Sequence, residues 1–202
     1  MWRAGGRCFD RPMTEHVFKD ADVLVVYAST HGHTAKIATR LAAAMRAEGL
    51  DVDLRAVADA GHVLPGRYDL VVAGASLHRE RHQKEMADWV GARHEALTEM
   101  PSVFFSVSLS AAEDTAESRV NTQRCIDEFL SETGWGPTRT ERIAGCLQYR
   151  EYDFFTRQLM RLLMKKMGHA TDVSHDHDYT DWDGVDRLGR ELAQMAAAAR
   201  VG

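Results

Sequence analysis

The run Val23-Leu24-Val25-Val26-Tyr27-Ala28-Ser29-Thr30-His31-Gly32-His33-Thr34, continuing into Ala35-Lys36-Ile37-Ala38, constrains this chain more than any other stretch. Its first part is short, apolar and β-branched, the pattern of a strand buried on both faces. Ile37, Leu41 and Met45 then recur at helical spacing, so a hydroxyl-rich turn joins the strand to the N-terminus of a helix. Such a turn aims backbone N–H groups and the positive end of a helix dipole, roughly half a charge, at one point. Ser29, Thr30 and Thr34 add hydroxyl donors, and Gly32 lets a ligand approach the backbone. The expected product is an anion cradle suited to phosphate. The competing reading is an ordinary strand–helix turn in which Thr34 caps the helix. Two other nucleotide loops are excluded, because neither Gly-x-Gly-x-x-Gly nor Gly-x-x-x-x-Gly-Lys-Ser/Thr is present here.

The same alternation repeats along the chain. A helix over about 34–48 ends at Gly49, a natural C′ residue, and Leu50–Leu54 alternates as a strand. Tyr68–Gly74 reads as a third strand, followed by one helix carrying Met86, Trp89, Val90, Arg93 and Leu97. Pro101–Val107 is a fourth strand, 117–131 a helix, Gly134–Pro137 a turn and Arg142–Leu147 a fifth strand. The last helix is predicted to start at Thr180, with Asp183 three residues on in a capping-box-like arrangement. Strands alternating with helices imply an α/β fold, with a parallel sheet and helices on both faces. Ligands of such sheets lie beyond the carboxyl ends of the strands, which groups the loops 29–34, 75–82 and 107–115, and the small residues from Gly74 onward would let a flat ring approach the backbone at the second.

At 202 residues the chain suits one domain over 21–202, with residues 1–20 as a flexible polar tail and Met13 an alternative start. The net charge of −5 argues against nucleic-acid binding, which needs a basic face. Cys8, Cys125 and Cys146 form no Cys-x-x-Cys pair, consistent with a reducing cytoplasm. His169, Asp172, His175, Asp176, His177 and Asp178 match no structural zinc spacing, so no metal is expected. About 30 residues separate Leu147 from Thr180, more than a strand–helix link needs, and define an insertion over about 148–179. Within it, 154–167 reads as a basic amphipathic helix. Arg157, Arg161 and Lys165 form its stripe, and Phe155, Leu159, Leu162 and Leu163 lie on its apolar face. Core packing and a lipid or large apolar ligand are both open readings of that face.

Ser29-Thr30-His31-Gly32-His33-Thr34 resembles the FMN-phosphate loop of the flavodoxin family, Ser/Thr-x-Thr-Gly-x-Thr, with His31 at a position usually held by a hydroxyl residue. From Val23 to about Gln194 the chain further resembles the menaquinone-dependent protoporphyrinogen IX dehydrogenases, a long-chain branch of that family. Gly74-Ala75-Ser76, Met100–Val107, Ile143-Ala144-Gly145, the basic Met-rich helix, Thr171-Asp172 and Tyr179-Thr180-Asp181-Trp182 carry this resemblance. It implies a flavodoxin-like, doubly wound, five-stranded parallel sheet in three αβα layers, with a helical insertion after the fifth strand. It also implies FMN, oxidation of protoporphyrinogen IX, and delivery of electrons to menaquinone or another quinone at the inner face of the cell membrane.

On that resemblance Ser29, Thr30, His31, Gly32, His33 and Thr34 hold the phosphate. Ala75, Ser76, Leu77 and His78, with Ser106, Val107, Ser108, Leu109, Ser110 and Ala111, frame the ring. The family tends to small and aromatic residues at 77–82, whereas this chain has His78-Arg79-Glu80-Arg81-His82. Arg79 and Arg81 are candidates for pairing with substrate propionates. His78, His82 and Tyr149 are candidates for moving a proton. The helix at 154–167, with Phe155, Leu159, Leu162 and Leu163, is the candidate contact with substrate or membrane. A homo-oligomer stays open, as do two alternatives, an electron carrier docking on protein partners and an NAD(P)H:quinone reductase.

Overall fold

A computed structural model describes residues 22–112, 115–147 and 177–200. The apolar run becomes β1 (Val23–Ala28), whose residues Val23 to Val26 are fully buried. It leads into α1 (His33–Ala47), β2 (Val52–Ala56) and β3 (Leu70–His78). A short strand β4 (Arg81–His82) folds back on β3. Then come α2 (Lys84–Gly91), α3 (His94–Glu99), β5 (Ser102–Ser108), α4 (Ala116–Thr133) and β6 (Arg139–Ala144). Past Gly145, β7 (Cys146–Leu147) pairs antiparallel with β8 (His177–Asp178), and α5 (Trp182–Ala199) follows.

Five strands run parallel, as expected; their order is β2-β1-β3-β5-β6, and β4 adds an antiparallel sixth strand against the end of β3. Strand order reverses beside β1, so the ends of β1 and β3 open a crevice for a ligand. Alternate strand residues feed two cores. Val23, Val25, Val72 and Phe105 meet Ile37 and Leu41 of α1 and Leu188 and Leu192 of α5. Leu24, Val26, Val71 and Phe104 meet Met86 and Val90 of α2 and Ile126 and Phe129 of α4. Each such side chain, fully buried, contributes roughly 1.5–3 kcal/mol. The crossing of α1 and α5 depends on Gly189, where a Cβ would lie 2.5 Å from the Ala44 Cβ.

Strand β2 is shifted by two residues, and β3 runs on to His78 where a loop was expected from Ala75; three further boundaries differ for reasons the structure makes plain. The single helix expected from Met86 to Leu97 is two, broken where Arg93 takes a non-helical φ of −132°. The Arg93 guanidinium lies over the Trp89 ring and donates to the carbonyls of Gly61, Val63 and Trp89, which holds the break. The fifth parallel strand starts at Arg139, hidden in the sequence by its polar residues, and stops at Ala144. There the Gly145 N–H bonds the Ser108 carbonyl at 2.9 Å and turns the chain into β7. Finally, α5 begins at Trp182 with Asp181 as its cap, accepting from the Gly184 N–H at 2.9 Å. Thr180 is engaged elsewhere.

The expected tail, Tyr149, the helix at 154–167 with Phe155, Leu159, Leu162 and Leu163, and the His/Asp cluster as far as Asp176 lie outside the described residues. No described helix is long and apolar enough to cross a membrane.

Candidate functional site

The three loops grouped by sequence meet at one cleft of about 220 Å3. Ser29, His31, His33 and Thr34 come from the β1–α1 turn, Ser76, Leu77, His78 and Glu80 from β3 and its hairpin, and Val107, Ser108, Leu109 and Ser110 from the end of β5. Gly145 and Cys146, where β6 gives way to β7, complete the wall.

At the first loop, Gly32 takes φ +81°, a left-handed conformation that L side chains rarely adopt. This turn starts α1 at His33, and among the described residues no side chain caps it. Among the described helices α4 and α5 are capped by a side chain, Thr115 and Asp181 respectively, whereas α1, α2 and α3 are not; of these three, α1 is the one that opens onto the cleft. Thr34 is therefore not the cap, and the first-turn N–H groups of α1 are left to another acceptor. No carboxylate stands between Ser29 and Thr34, and among the described residues no Lys or Arg lines the cleft. These described groups offer an anion backbone N–H donors, hydroxyls and a helix dipole.

The second loop is a tight hairpin. Arg79 and Glu80 occupy its tip with φ of 49° and 63°, the left-handed values that a two-residue turn requires. Behind the tip, Gln83 Nε2 donates to Ser76 Oγ and, at 3.4 Å, to Thr30 Oγ1. Ser76 Oγ also shares a hydrogen bond of 3.2 Å with His78 Nε2. Gln83, absent from the sequence reading, thus ties the second loop to the first, and its polar side chain on a turn had offered no signal. Glu80, the one carboxylate at the cleft among the described residues, pairs with Arg124 at 3.1 Å. His31 and His78 meet edge to face, with ring centroids 5.7 Å apart. Burial first, and then the neighbouring His31, push the His78 pKa down. Burial also lowers the His33 pKa, so the His33 and His78 rings are neutral at neutral pH.

Other expected site residues are placed differently. Thr30 and Gly32 shape the first loop without lining the cleft, and Ala75 is fully buried in the core beneath α2 and α4. Ala111 lines a separate groove beside β6 and α5. Gly74, expected to admit a flat ring, is filled from within, because the Phe105 ring lies where a Cβ would sit. His82 is not at the cleft. Its ring stands edge-on to Phe104 and Phe129, and its Nε2 shares a 2.8 Å hydrogen bond with the fully buried Ser106 hydroxyl. Together with Arg81, His82 lines a second cavity between the hairpin, α2 and α4.

His33 faces two ways. It lines the cleft, and its Nε2 lies 2.7 Å from Thr180 Oγ1, which in turn donates to the Ala144 carbonyl at 2.7 Å. This is the engagement that removes Thr180 from helix capping.

Three comparisons bear on this arrangement. A family model described as a flavodoxin domain matches residues 24–174. The chain is 32% identical over 179 residues to a protoporphyrinogen IX dehydrogenase [quinone] of Leishmania major, covering 87% of this chain and 76% of that one. It is 31% identical over 172 residues to the protein of the same name from Escherichia coli strain K12, covering 85% of this chain and 94% of that one. Among solved structures, oxidised Flavodoxin 2 from Bacillus cereus superposes with a TM-score of 0.51 at 16% identity, covering 88% of this chain and 99% of that one. That last likeness supports the fold.

Proposed function

Because the chain belongs to the flavodoxin domain family, we propose that it holds FMN in this cleft and oxidises protoporphyrinogen IX, with a quinone as acceptor. The carrying observation is the uncapped start of α1 behind a left-handed Gly32, at the end of β1, with a small-residue wall opposite. This donor set fits a phosphomonoester. It offers backbone N–H groups and hydroxyls, with no carboxylate in the loop to repel the anion. Bound FMN supplies acceptance of hydride equivalents from the porphyrinogen and their release to the quinone.

The protein's share is binding, orientation and proton handling. Ser29, His33 and Thr34 belong to the phosphate end, while Ser76 to His78 and Val107 to Ser110 flank the ring. His78 is our choice for the proton acceptor: it is neutral, it is held by Ser76, and it borders the cleft. His82 is buried beyond that wall. Arg79, at the hairpin tip, suits a propionate carboxylate better than Arg81, which turns to the second cavity.

The test is turnover. Purified protein titrated with FMN should bind it stoichiometrically, and protoporphyrinogen with a menaquinone analogue should then give porphyrin fluorescence well above autoxidation. Fluorescence no faster than autoxidation would remove this reading, and rapid NADPH oxidation would favour a nicotinamide-fed quinone reductase.

We place the enzyme peripherally on the inner face of the cell membrane, where a quinone dissolves. The basic, Met-rich pattern of 154–167 supports this, since apolar area and cationic charge add in interfacial binding. Changing Leu159, Leu162 and Leu163 together to Ser is expected to leave flavin content unchanged and to cut binding to anionic liposomes severalfold. Liposome binding equal to that of the unaltered protein would return the segment to core packing.

A further inference from the structure

We infer that His33 is a positioning residue that couples the grip on the FMN phosphate to the seating of the β7–β8 neck on the sheet. The inference rests on the reading that the phosphate lies at the 29–34 loop.

His33 is the first residue of α1, only 7% exposed, and it lines the cleft. Because the Thr180 hydroxyl donates its one proton to the Ala144 carbonyl, its oxygen must accept from His33. That fixes the proton of the neutral ring on Nε2. Around this bond the chain leaving β8 is folded tightly. Asp178 accepts from the Thr180 N–H at 3.0 Å and from the Trp182 indole at 3.1 Å, and its Oδ1 lies 3.7 Å from His33 Nε2. The Trp182 ring meets the imidazole at 5.8 Å between centroids. The Tyr179 N–H reaches the Gly145 carbonyl at 3.2 Å.

Each strand of the neck has only two residues, too few to hold a pairing by themselves. Among its contacts with the domain, Thr180 is the one bonded to β6 on one side and to α1 on the other. An anion that orders the first turn of α1 therefore also orders His33 in the pose that receives Thr180. By linkage, a seated neck must favour anion binding by the same factor.

The test uses the full chain with and without FMN. Fluorescence titration gives the FMN Kd, and hydrogen exchange reports the Cys146 and Tyr179 amides of the neck. Thr180 does not line the cleft, so a merely structural His33 would leave FMN affinity untouched when Thr180→Val removes the acceptor. Coupling predicts a Kd raised about five- to tenfold in T180V, within the usual range of coupling between sites, and near-normal affinity in Thr180→Ser. FMN should slow exchange of the Tyr179 amide about tenfold in the unaltered protein and in His33→Gln, which keeps an N–H donor at similar reach, but not in His33→Ala. T180V with unaltered Kd, or H33A protected by FMN as fully as the unaltered protein, would overturn the coupling. Absence of FMN binding to the unaltered protein would instead overturn the proposed function, and this inference with it.

Discussion

Gly74→Ala is expected to destabilise the protein by about 3 kcal/mol or more, the upper range for overpacking a buried site. Gly74 stands opposite Phe105 in the β3–β5 register, and a Cβ there would lie 1.9 Å from the ring's Cζ. The ring cannot simply swing aside. Phe105 is fully buried among Val72, Val103, Val107 and the residues of α1 and α5. Both strands are interior to the sheet, flanked by β1 and β6, so their backbones cannot part without breaking neighbouring ladders. Urea unfolding measures the loss. Phe105→Leu, which shortens the intruding ring, should make the double variant more stable than the sum of the two single losses by about 1–2 kcal/mol, as expected of residues in contact. A Gly74→Ala protein within about 1 kcal/mol of the original, the ordinary effect of a point change, would show that the ring has room to move.

The second large effect is a loss of stability in acid that passes through His82. Burial among Phe104, Phe129 and the strands lowers its pKa from 6.5 to about 4. Its Nε2 is matched to Ser106, while its Nδ1 is buried without a partner among the described residues. A protonated ring would thus carry an unsatisfied N–H into a low-dielectric site. The folded-state pKa is depressed, so the unfolded chain binds the proton first. Stability is whole above the unfolded value of 6.5 and is lost as pH falls towards about 4. The loss reaches about 2 kcal/mol at pH 5 and about 3 kcal/mol below pH 4, at 1.36 kcal/mol per pKa unit. His82→Phe keeps the edge-to-face packing but strands the Ser106 hydroxyl, costing about 1 kcal/mol at pH 7.5. It should also flatten the profile, so that between pH 7.5 and pH 5 the variant loses about 2 kcal/mol less than the original. Parallel curves for the two proteins would remove His82 as the acid-sensitive group.

These two positions also show where sequence legibility ended. Gly74 in Gly74-Ala75-Ser76 looked like room for a ligand, because the pattern shows an absent side chain without showing what fills the space. The filler, Phe105, comes from another strand and is known only once the register is known. His82 lay in a charged run, His78-Arg79-Glu80-Arg81-His82, that read as one loop. The hairpin splits that run between two environments. His78 goes to the cleft, while His82 goes four residues on to the opposite side, beneath α4. Thr180 was misjudged for a related reason: its hydroxyl could cap a helix locally, but a buried imidazole 147 positions away claims it.

What the sequence by itself determined is local and periodic. A β-branched run followed by residues at helical spacing dictates strand, turn and helix at 23–47, and the repetition of that alternation dictates a parallel sheet with a ligand end. Gly32 in a hydroxyl-rich turn likewise pointed to an anion cradle there. The tertiary structure alone decided which residues face that cradle and which fill the core behind it. It brought Gly145 and Cys146 into the wall, took Ala75 and His82 out of it, and set Thr180 against His33. The physical reason is range. Backbone propensity and side-chain period act over a few neighbours, whereas burial and hydrogen-bond pairing are settled by strand register, between residues the chain order holds far apart.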